Sequence, residues 1–116
     1  REVVDAFLAA VRSRDLQALL AVLDPDAVRR ADHAVEAPGR MRLVRGARAV
    51  ADSVLEVAGI LAALARPAVV NGTAGLVIVD PEGRLRTVIG FTVTGGRIAA
   101  IDVFLDPARL DRLDVL

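Results

Sequence analysis

The sequence contains no cysteine, tryptophan or tyrosine, and it has one histidine. Without cysteine there is neither a disulfide framework nor a thiolate metal site. Without tyrosine there is no phenol of the kind that acts as an oxyanion-hole donor in ketosteroid isomerases. A single histidine and the lack of a spaced acidic cluster also argue against a metal centre. We therefore expect no metal, no cofactor and few groups suited to acid–base chemistry.

Lysine is absent as well, so arginine supplies all 15 basic residues, which balance 15 acidic ones. A chain without a basic excess lacks the electrostatic signature of nucleic-acid binding. Its apolar runs are far shorter than the roughly 20 residues that span a bilayer, and no signal peptide is recognisable. The sequence thus predicts a cytoplasmic protein that contacts neither nucleic acid nor membrane directly.

The 116 residues suit a single domain, 1–116, and a hydrophobic content of 54% can fill its core. The chain starts with Arg1 rather than methionine. We interpret this start as the mark of a C-terminal fragment of a longer protein. The abundance of arginine, alanine and valine is typical of a bacterium with a GC-rich genome.

Two helices are predicted at the start of the chain, because apolar residues recur there at intervals of three and four. Asp15 suits the N-cap of the second helix, and Asp24-Pro25 ends it. The apolar positions are Val4, Phe7, Leu8 and Val11, then Leu16, Leu19, Leu20 and Leu23.

The strongest helical pattern runs from Gly46 to Leu64, with one apolar stripe along its length. Before it, residues 27–35 alternate like a half-exposed strand, and "MRLV" is typical of a short one. After it, residues 67–105 are predicted to form strands joined by tight turns, among them a hairpin at 94–97. Asp106 and Pro107 then begin a short terminal helix, as its cap and its first residue.

This order of two helices, short strands, a long helix and an antiparallel meander predicts an α+β fold with the helices on one face of the sheet. It resembles the cone-shaped nuclear transport factor 2-like fold, also called SnoaL-like and grouped with the cystatin-like folds. The resemblance implies a curved antiparallel sheet wrapped around the long helix. A conical cavity would then open at one end.

Three motifs in the last third of the chain carry a closer resemblance: "VNGTAG" (70–75), "GGRIAAID" (95–102) and "DPARL" (106–110). They are similar to the C-terminal SnoaL-like domain of extracytoplasmic-function RNA polymerase sigma factors of the sigma-J type. In that family a basic residue also precedes the last leucine of the third motif. The matching residues are Asn71, Gly72, Asp106, Pro107 and Leu110.

The resemblance implies a non-catalytic regulatory domain that modulates transcription initiation. Its partners would be the upstream sigma-factor domains and core RNA polymerase. As an isolated domain it is expected to form a homodimer through its sheet. One face of that sheet would cover the helices, and a second copy or the upstream domains would cover the other.

Asp102 is the one acid in an otherwise apolar last strand, and two interpretations stay open. If Ile98, Ala100, Asp102 and Phe104 share one face of the strand, Asp102 lines the cavity and can act as a general base. Alternatively, it lies near the cavity mouth or pairs with an arginine.

Asp32 is the second candidate base. Its neighbour His33 cannot enter the same pocket in a regular strand, because adjacent strand residues point to opposite faces. Asn71 is interpreted as a turn residue that tolerates positive φ, and its amide is also a candidate pocket group. The candidate pocket residues are thus Asp102, Phe104, Asp32, Asn71 and Phe7.

The alternative function is a small cone-fold enzyme of the polyketide-cyclase or ketosteroid-isomerase kind, with Asp102 or Asp32 as its base. A small-ligand-binding domain with a carboxylate in its pocket is a further form of this alternative. Either would need a cavity of roughly 300 Å³ or more with convergent polar groups.

Overall fold

The computed structural model describes residues 1–32 and 43–115, and the structural statements below concern those residues. The helices are α1 (Glu2–Ser13), α2 (Leu16–Val22), α3 (Ala47–Glu56), α4 (Ala58–Leu64) and α5 (Pro107–Leu110). The strands are β1 (Leu23–Ala31), β2 (Leu43–Arg45), β3 (Arg66–Val70), β4 (Thr73–Val79), β5 (Leu85–Thr94) and β6 (Arg97–Phe104).

The predicted helical hairpin forms at the N-terminus. Arg14 adopts the left-handed conformation with φ 52° and ends α1. The side chain of Asp15 accepts a hydrogen bond from the Ala18 N–H at 3.1 Å, so the predicted N-cap of α2 is confirmed. Strand β1 follows α2 without a loop. It therefore starts at Leu23, earlier than the predicted strand at 27–35, of which residues 33–35 lie outside the described residues.

The helix predicted over 46–64 is divided into α3 and α4, so its continuity was predicted wrongly. Val57 leaves helical geometry with φ −112° and ψ 17°, and its N–H bonds the Val54 carbonyl at 3.1 Å. The apolar spacing does not reveal the break, because buried residues continue in step on both sides of it. Val54 closes the stripe of α3, and Ala58 and Leu61 resume it in α4.

The strands form one sheet in the order β2-β1-β6-β5-β4-β3. The predicted antiparallel meander comprises β3 to β6 and is confirmed. Strand β1, however, lies parallel to β6, with Arg29 opposite Ile101. The sheet is therefore mixed rather than wholly antiparallel. Alternation within one strand carries no information on the direction of its neighbour, so this pairing could not be predicted.

The sheet buries apolar side chains on both faces. On the helix side, Leu76, Ile89 and Ile101 belong to a core that they share with α1 to α4. On the opposite face lies a second apolar group, which we call the outer cluster. It consists of Ala68, Val70, Val77, Val88 and Leu110. Leu110 comes from α5, so the C-terminal segment of this chain covers part of the face that was expected to need a second copy or another domain.

A register shift in β6 changes which of its residues share a face. Val93 pairs with Ile98, whereas Thr92 pairs with Ala100, so Ala99 is an extra residue. Ile98 consequently lies in the helix-side core, while Phe104 packs against the outer cluster. The expectation that Ile98 and Phe104 share one face is wrong for this reason.

Candidate functional site

Asp102 lies on the outer face of the sheet, beside Arg30 of β1. Arg30 Nε donates to Asp102 Oδ1 at 2.7 Å, and Arg30 Nη2 donates to Oδ2 at 3.1 Å. The two residues are also directly opposite in the β1–β6 register. The Asp102 side chain is 27% exposed and that of Arg30 is 55% exposed. The hydrogen bond and the charge of Asp102 raise the pKa of Arg30 above its ordinary value.

This arrangement matches the second interpretation of Asp102, an ion pair with an arginine. Both carboxylate oxygens of Asp102 accept hydrogen bonds from one guanidinium. The guanidinium thus holds the Asp102 carboxylate in a fixed orientation between the two strands. Its cross-strand neighbour on β5 is Gly90, which adds no polar side chain. The geometry therefore supports a structural role for this ion pair, which links β1 to β6.

Asp32 sits just after β1 with a side chain only 7% exposed. Its backbone N–H donates to the Val103 carbonyl at 3.1 Å, and its Oδ1 accepts from the Leu105 N–H at 2.9 Å. Asp32 therefore continues the β1–β6 pairing beyond the end of the strand. Its Oδ2 lies 4.0 Å from Arg109 Nε.

Arg109 connects two of the predicted pocket residues. Its guanidinium carbon lies 5.3 Å from the centre of the Phe104 ring, a cation–π distance, and its Nε faces Asp32. Helix α5 also begins as predicted, because the Asp106 side chain accepts from the Ala108 N–H at 3.1 Å and Pro107 follows it. The sequence did carry a signal for Arg109, since it is the basic residue that precedes Leu110 in the "DPARL" motif.

Asn71 lies in the turn between β3 and β4. It has φ 48° and Gly72 has φ 83°, which are the two positive angles of a type I′ hairpin turn. The Asn71 Oδ1 accepts from the Asp114 N–H at 2.9 Å, and the Asn71 N–H donates to the Asp114 carbonyl at 2.7 Å. Val70 and Val115 form an isolated bridge beside this contact. Asn71 thus fixes the segment that follows α5 to the β3–β4 turn.

Phe7 lies in the helix-side core and is 2% exposed. Its ring meets that of Phe91 edge-on, with centroids 5.1 Å apart and planes inclined by 67°. In residues 1–32 and 43–115 no polar or charged residue is fully buried. The buried residues that surround Phe7 are accordingly apolar.

The structure brings some of the predicted pocket residues together and separates others. Asp32 and Phe104 meet through Arg109. Asp102 is engaged by Arg30 on the outer face, Asn71 lies at the β3–β4 turn, and Phe7 packs on the helix side. The five residues therefore do not surround one space. His33 and the predicted strand positions 33–35 and 41–42 lie outside the described residues.

Within the described part of the chain, no three histidine, aspartate or glutamate side chains are grouped so that they could hold a metal ion. In the same residues, every helix is too short or too polar to cross a membrane.

The fold defined by these elements is the nuclear transport factor 2-like, or SnoaL-like, fold, as predicted. An NTF2-like protein from Burkholderia xenovorans has 22% identity and a TM-score of 0.59, and the match covers 96% of this chain and 92% of that one. A candidate polyketide cyclase from Sinorhizobium meliloti has 23% identity and a TM-score of 0.62, with 89% and 94% covered.

A particular sigma factor shares this structure more closely than those two proteins. The extracytoplasmic function sigma factor SigJ of Mycobacterium tuberculosis has 27% identity and a TM-score of 0.78. The match covers 94% of this chain but 42% of SigJ, so the chain spans less than half the length of that sigma factor. The resemblance to a SnoaL-like domain of the sigma-J type is confirmed. No protein-family model and no curated protein matches the sequence.

Proposed function

We propose that this chain is the appended regulatory domain of an extracytoplasmic-function sigma factor. It modulates transcription initiation through contacts with the sigma domains of the same polypeptide or with core RNA polymerase, in the cytoplasm. The observation that carries this proposal is the match to SigJ over 94% of the chain at a TM-score of 0.78. In this proposal the domain comprises residues 1–116 and follows the helical sigma domains.

The three sequence motifs support the proposal because they form one structural unit. "VNGTAG" supplies the β3–β4 turn, whose Asn71 binds Asp114. "GGRIAAID" supplies the β5–β6 turn and most of β6. "DPARL" supplies the cap and the body of α5, and its Leu110 packs against Val88 and the rest of the outer cluster. The motifs therefore specify how the C-terminal segment covers the outer face of the sheet.

Helix α4 offers a surface for the proposed contact. Its sequence from Ala58 to Leu64 contains no charged residue. Ile60 and Leu64 are 56% and 48% exposed, and their spacing of four places them on one side of the helix. An apolar helix face that remains in water is typical of a protein–protein contact surface.

The test uses the full-length protein encoded by the gene. The coding region before Arg1 must encode the DNA-binding helix-turn-helix of a sigma factor, and its absence would end the proposal. Given that region, replacing Ile60 and Leu64 with serine should weaken the association of residues 1–116, supplied in trans, with the remaining sigma segment or core polymerase. We expect at least about a fivefold loss of affinity, as for residues in the centre of an interface.

Val93→Ser is the matched control, because Val93 is 45% exposed at the far end of β5 and also loses only exposed apolar surface. Unchanged binding by the Ile60/Leu64 variant would show that α4 does not take part in the contact. Failure of the wild-type domain to associate with either partner would contradict the proposed function itself.

The homodimer stays a prediction for the isolated domain. Helix α5 covers part of the outer sheet face through Leu110, and in this prediction a second copy packs on the part of that face that α5 leaves uncovered. Light scattering at high protein concentration should give twice the 12.2 kDa mass of the chain. A monomeric mass at that concentration would contradict the prediction.

A further inference from the structure

A cavity of about 310 Å³ lies between α5 and the beginning of β5. It is separate from the helix-side core, because Leu85 and Leu110 belong to the outer cluster or pack against it. None of the five predicted pocket residues lines it. The lining residues are Arg84, Leu85, Arg86, Leu105, Pro107, Leu110 and Asp111.

One side of the cavity is apolar and firmly held. Leu110 is 7% exposed and packs in the outer cluster. Pro107 is fixed as the first residue of α5 by the Asp106 cap. The N–H of Leu105 is bonded to the Asp32 carboxylate at 2.9 Å. These anchors keep α5 in place and leave the space beside it open to an apolar group.

The other side of the cavity carries two arginines, and Asp80 binds the backbone of Arg84 and the side chain of Arg86. Asp80 Oδ1 accepts from the Arg84 N–H at 2.8 Å, and Oδ2 accepts from Arg86 Nε at 2.8 Å. The hydrogen bond from the Arg84 N–H is the largest cause that lowers the pKa of the Asp80 carboxyl. Desolvation opposes it, and the hydrogen bond and charge of Arg86 and the hydrogen bond from the Glu82 N–H add to the lowering. Asp80 therefore offsets the charge of Arg86.

The side chains of Arg84 and Arg86 differ in their contacts. Arg86 is paired with Asp80, whereas no acidic side chain of residues 1–32 and 43–115 lies within ion-pair distance of the Arg84 guanidinium. The rim of the cavity therefore carries the exposed Arg84 guanidinium above an apolar wall. Among the described lining residues, Asp111 is the one acid.

We propose that this cavity binds a small amphipathic organic anion, a monocarboxylate with an unbranched apolar chain. The carboxylate pairs with the Arg84 guanidinium, and the chain lies against Leu85, Leu105 and Leu110. A volume of about 310 Å³ holds about ten non-hydrogen atoms if each takes about 30 Å³, the share of a water molecule in the liquid. Octanoate has about that size. The proposal does not depend on the function proposed above.

The test is a titration of the whole chain with octanoate, followed by amide chemical shifts in nuclear magnetic resonance spectra. Binding should shift the amides of residues 84–86 and 105–111. Arg84→Ala should raise the dissociation constant about five- to tenfold, the effect of losing one charge-assisted hydrogen bond at a partly exposed site. Arg84 is exposed, and its N–H bond to Asp80 survives the substitution, so the variant keeps its fold.

Arg97→Ala is the matched control, because Arg97 begins β6 opposite Thr94, at the other end of β5. It should bind octanoate like the wild type. Asp111→Asn should bind more tightly, since it removes a like charge from the lining. The neutral analogue 1-octanol should bind more weakly than octanoate.

Three results would overturn the proposal. The first is the absence of shifts at octanoate concentrations up to about 10 mM, which is about ten times the dissociation constant of a weak complex of about 1 mM. The second is equal loss of affinity in the Arg84 and Arg97 variants. The third is binding of 1-octanol as strong as that of octanoate, because the arginine would then contribute nothing.

Discussion

Asn71 and Asp114 are joined by two hydrogen bonds, one through the side-chain oxygen of Asn71 at 2.9 Å and one through its backbone N–H at 2.7 Å. The contact links the β3–β4 turn to the residues that follow α5, 43 positions away in the sequence. The side chain can reach Asp114 while the backbone of Asn71 stays in the left-handed region. One residue therefore both shapes a turn and holds the C-terminal segment.

Asn71→Ala should destabilise the protein by about 2 kcal/mol. Alanine in the left-handed region costs about 1 kcal/mol, and loss of the acceptor for the Asp114 N–H costs about another 1 kcal/mol. Asn71→Gly is the control, because glycine accepts the positive φ and loses only the side-chain bond. Urea denaturation should show a larger loss of unfolding free energy for Asn71→Ala than for Asn71→Gly. Equal stability of Asn71→Ala and the wild type would contradict the role assigned to this contact.

Gly75 and Gly90 are cross-strand partners that should respond differently to alanine. A Cβ on Gly75 would lie 2.6 Å from the Ile89 carbonyl oxygen and 2.8 Å from Val70 Cγ2, whereas one on Gly90 would lie 3.7 Å from Phe104. Gly75→Ala should therefore cost about 2–3 kcal/mol, as for overpacking in a tight site. Gly90→Ala should change the unfolding free energy by less than about 0.5 kcal/mol. Similar losses of unfolding free energy in both variants would show that the close approach at Gly75 does not cause the destabilisation.

The Arg30–Asp102 pair should have a small coupling energy despite its bidentate geometry. Both side chains are partly exposed, so solvent screens their attraction. A double-mutant cycle with Arg30→Gln and Asp102→Asn should give about 0.5–1 kcal/mol, and the value should fall in 1 M salt, where the Debye length is about 3 Å. A salt-independent coupling of about 3 kcal/mol would contradict this account, because it would require a pair that is buried.

Asp80 should make stability depend on acid pH. Its pKa in the folded state is lower than the ordinary value of 3.8, so folding favours the charged carboxylate. The stabilisation is complete above that ordinary value and is lost as the pH falls below it through the folded-state pKa. Asp80→Asn should therefore be less stable than the wild type at neutral pH, and the difference should shrink as the pH falls below 3.8. A difference that stays constant over this range would contradict the prediction.

Local signals in the sequence predicted most of the elements. The caps at Asp15 and Asp106 were predicted from residue type and position, and both accept the expected backbone hydrogen bond. The role of Asn71 as a turn residue that tolerates positive φ was likewise inferred from residue type, and its φ is 48°. Each of these features depends on residues close together in the chain, which is why a sequence pattern can reveal it.

Features that depend on distant residues were not predicted in detail. The extra residue at Ala99 reverses the alternation of β6, and no local signal distinguishes it from a regular strand position. The arginine that pairs with Asp102 was not identified, because Arg30 lies 72 positions away across a parallel strand pair. The cavity beside α5 was missed because it forms only when the "DPARL" helix packs near Arg84.

Transcription in vitro tests most directly the proposal that this domain modulates a sigma factor. Full-length protein and protein lacking residues 1–116 would be compared with core RNA polymerase on the promoter of the factor. We predict that the deletion changes transcript yield at least about fivefold, which corresponds to a coupling free energy of about 1 kcal/mol. The domain added in trans should restore the original yield. Equal yields with and without residues 1–116, at matched polymerase concentrations, would contradict the claim.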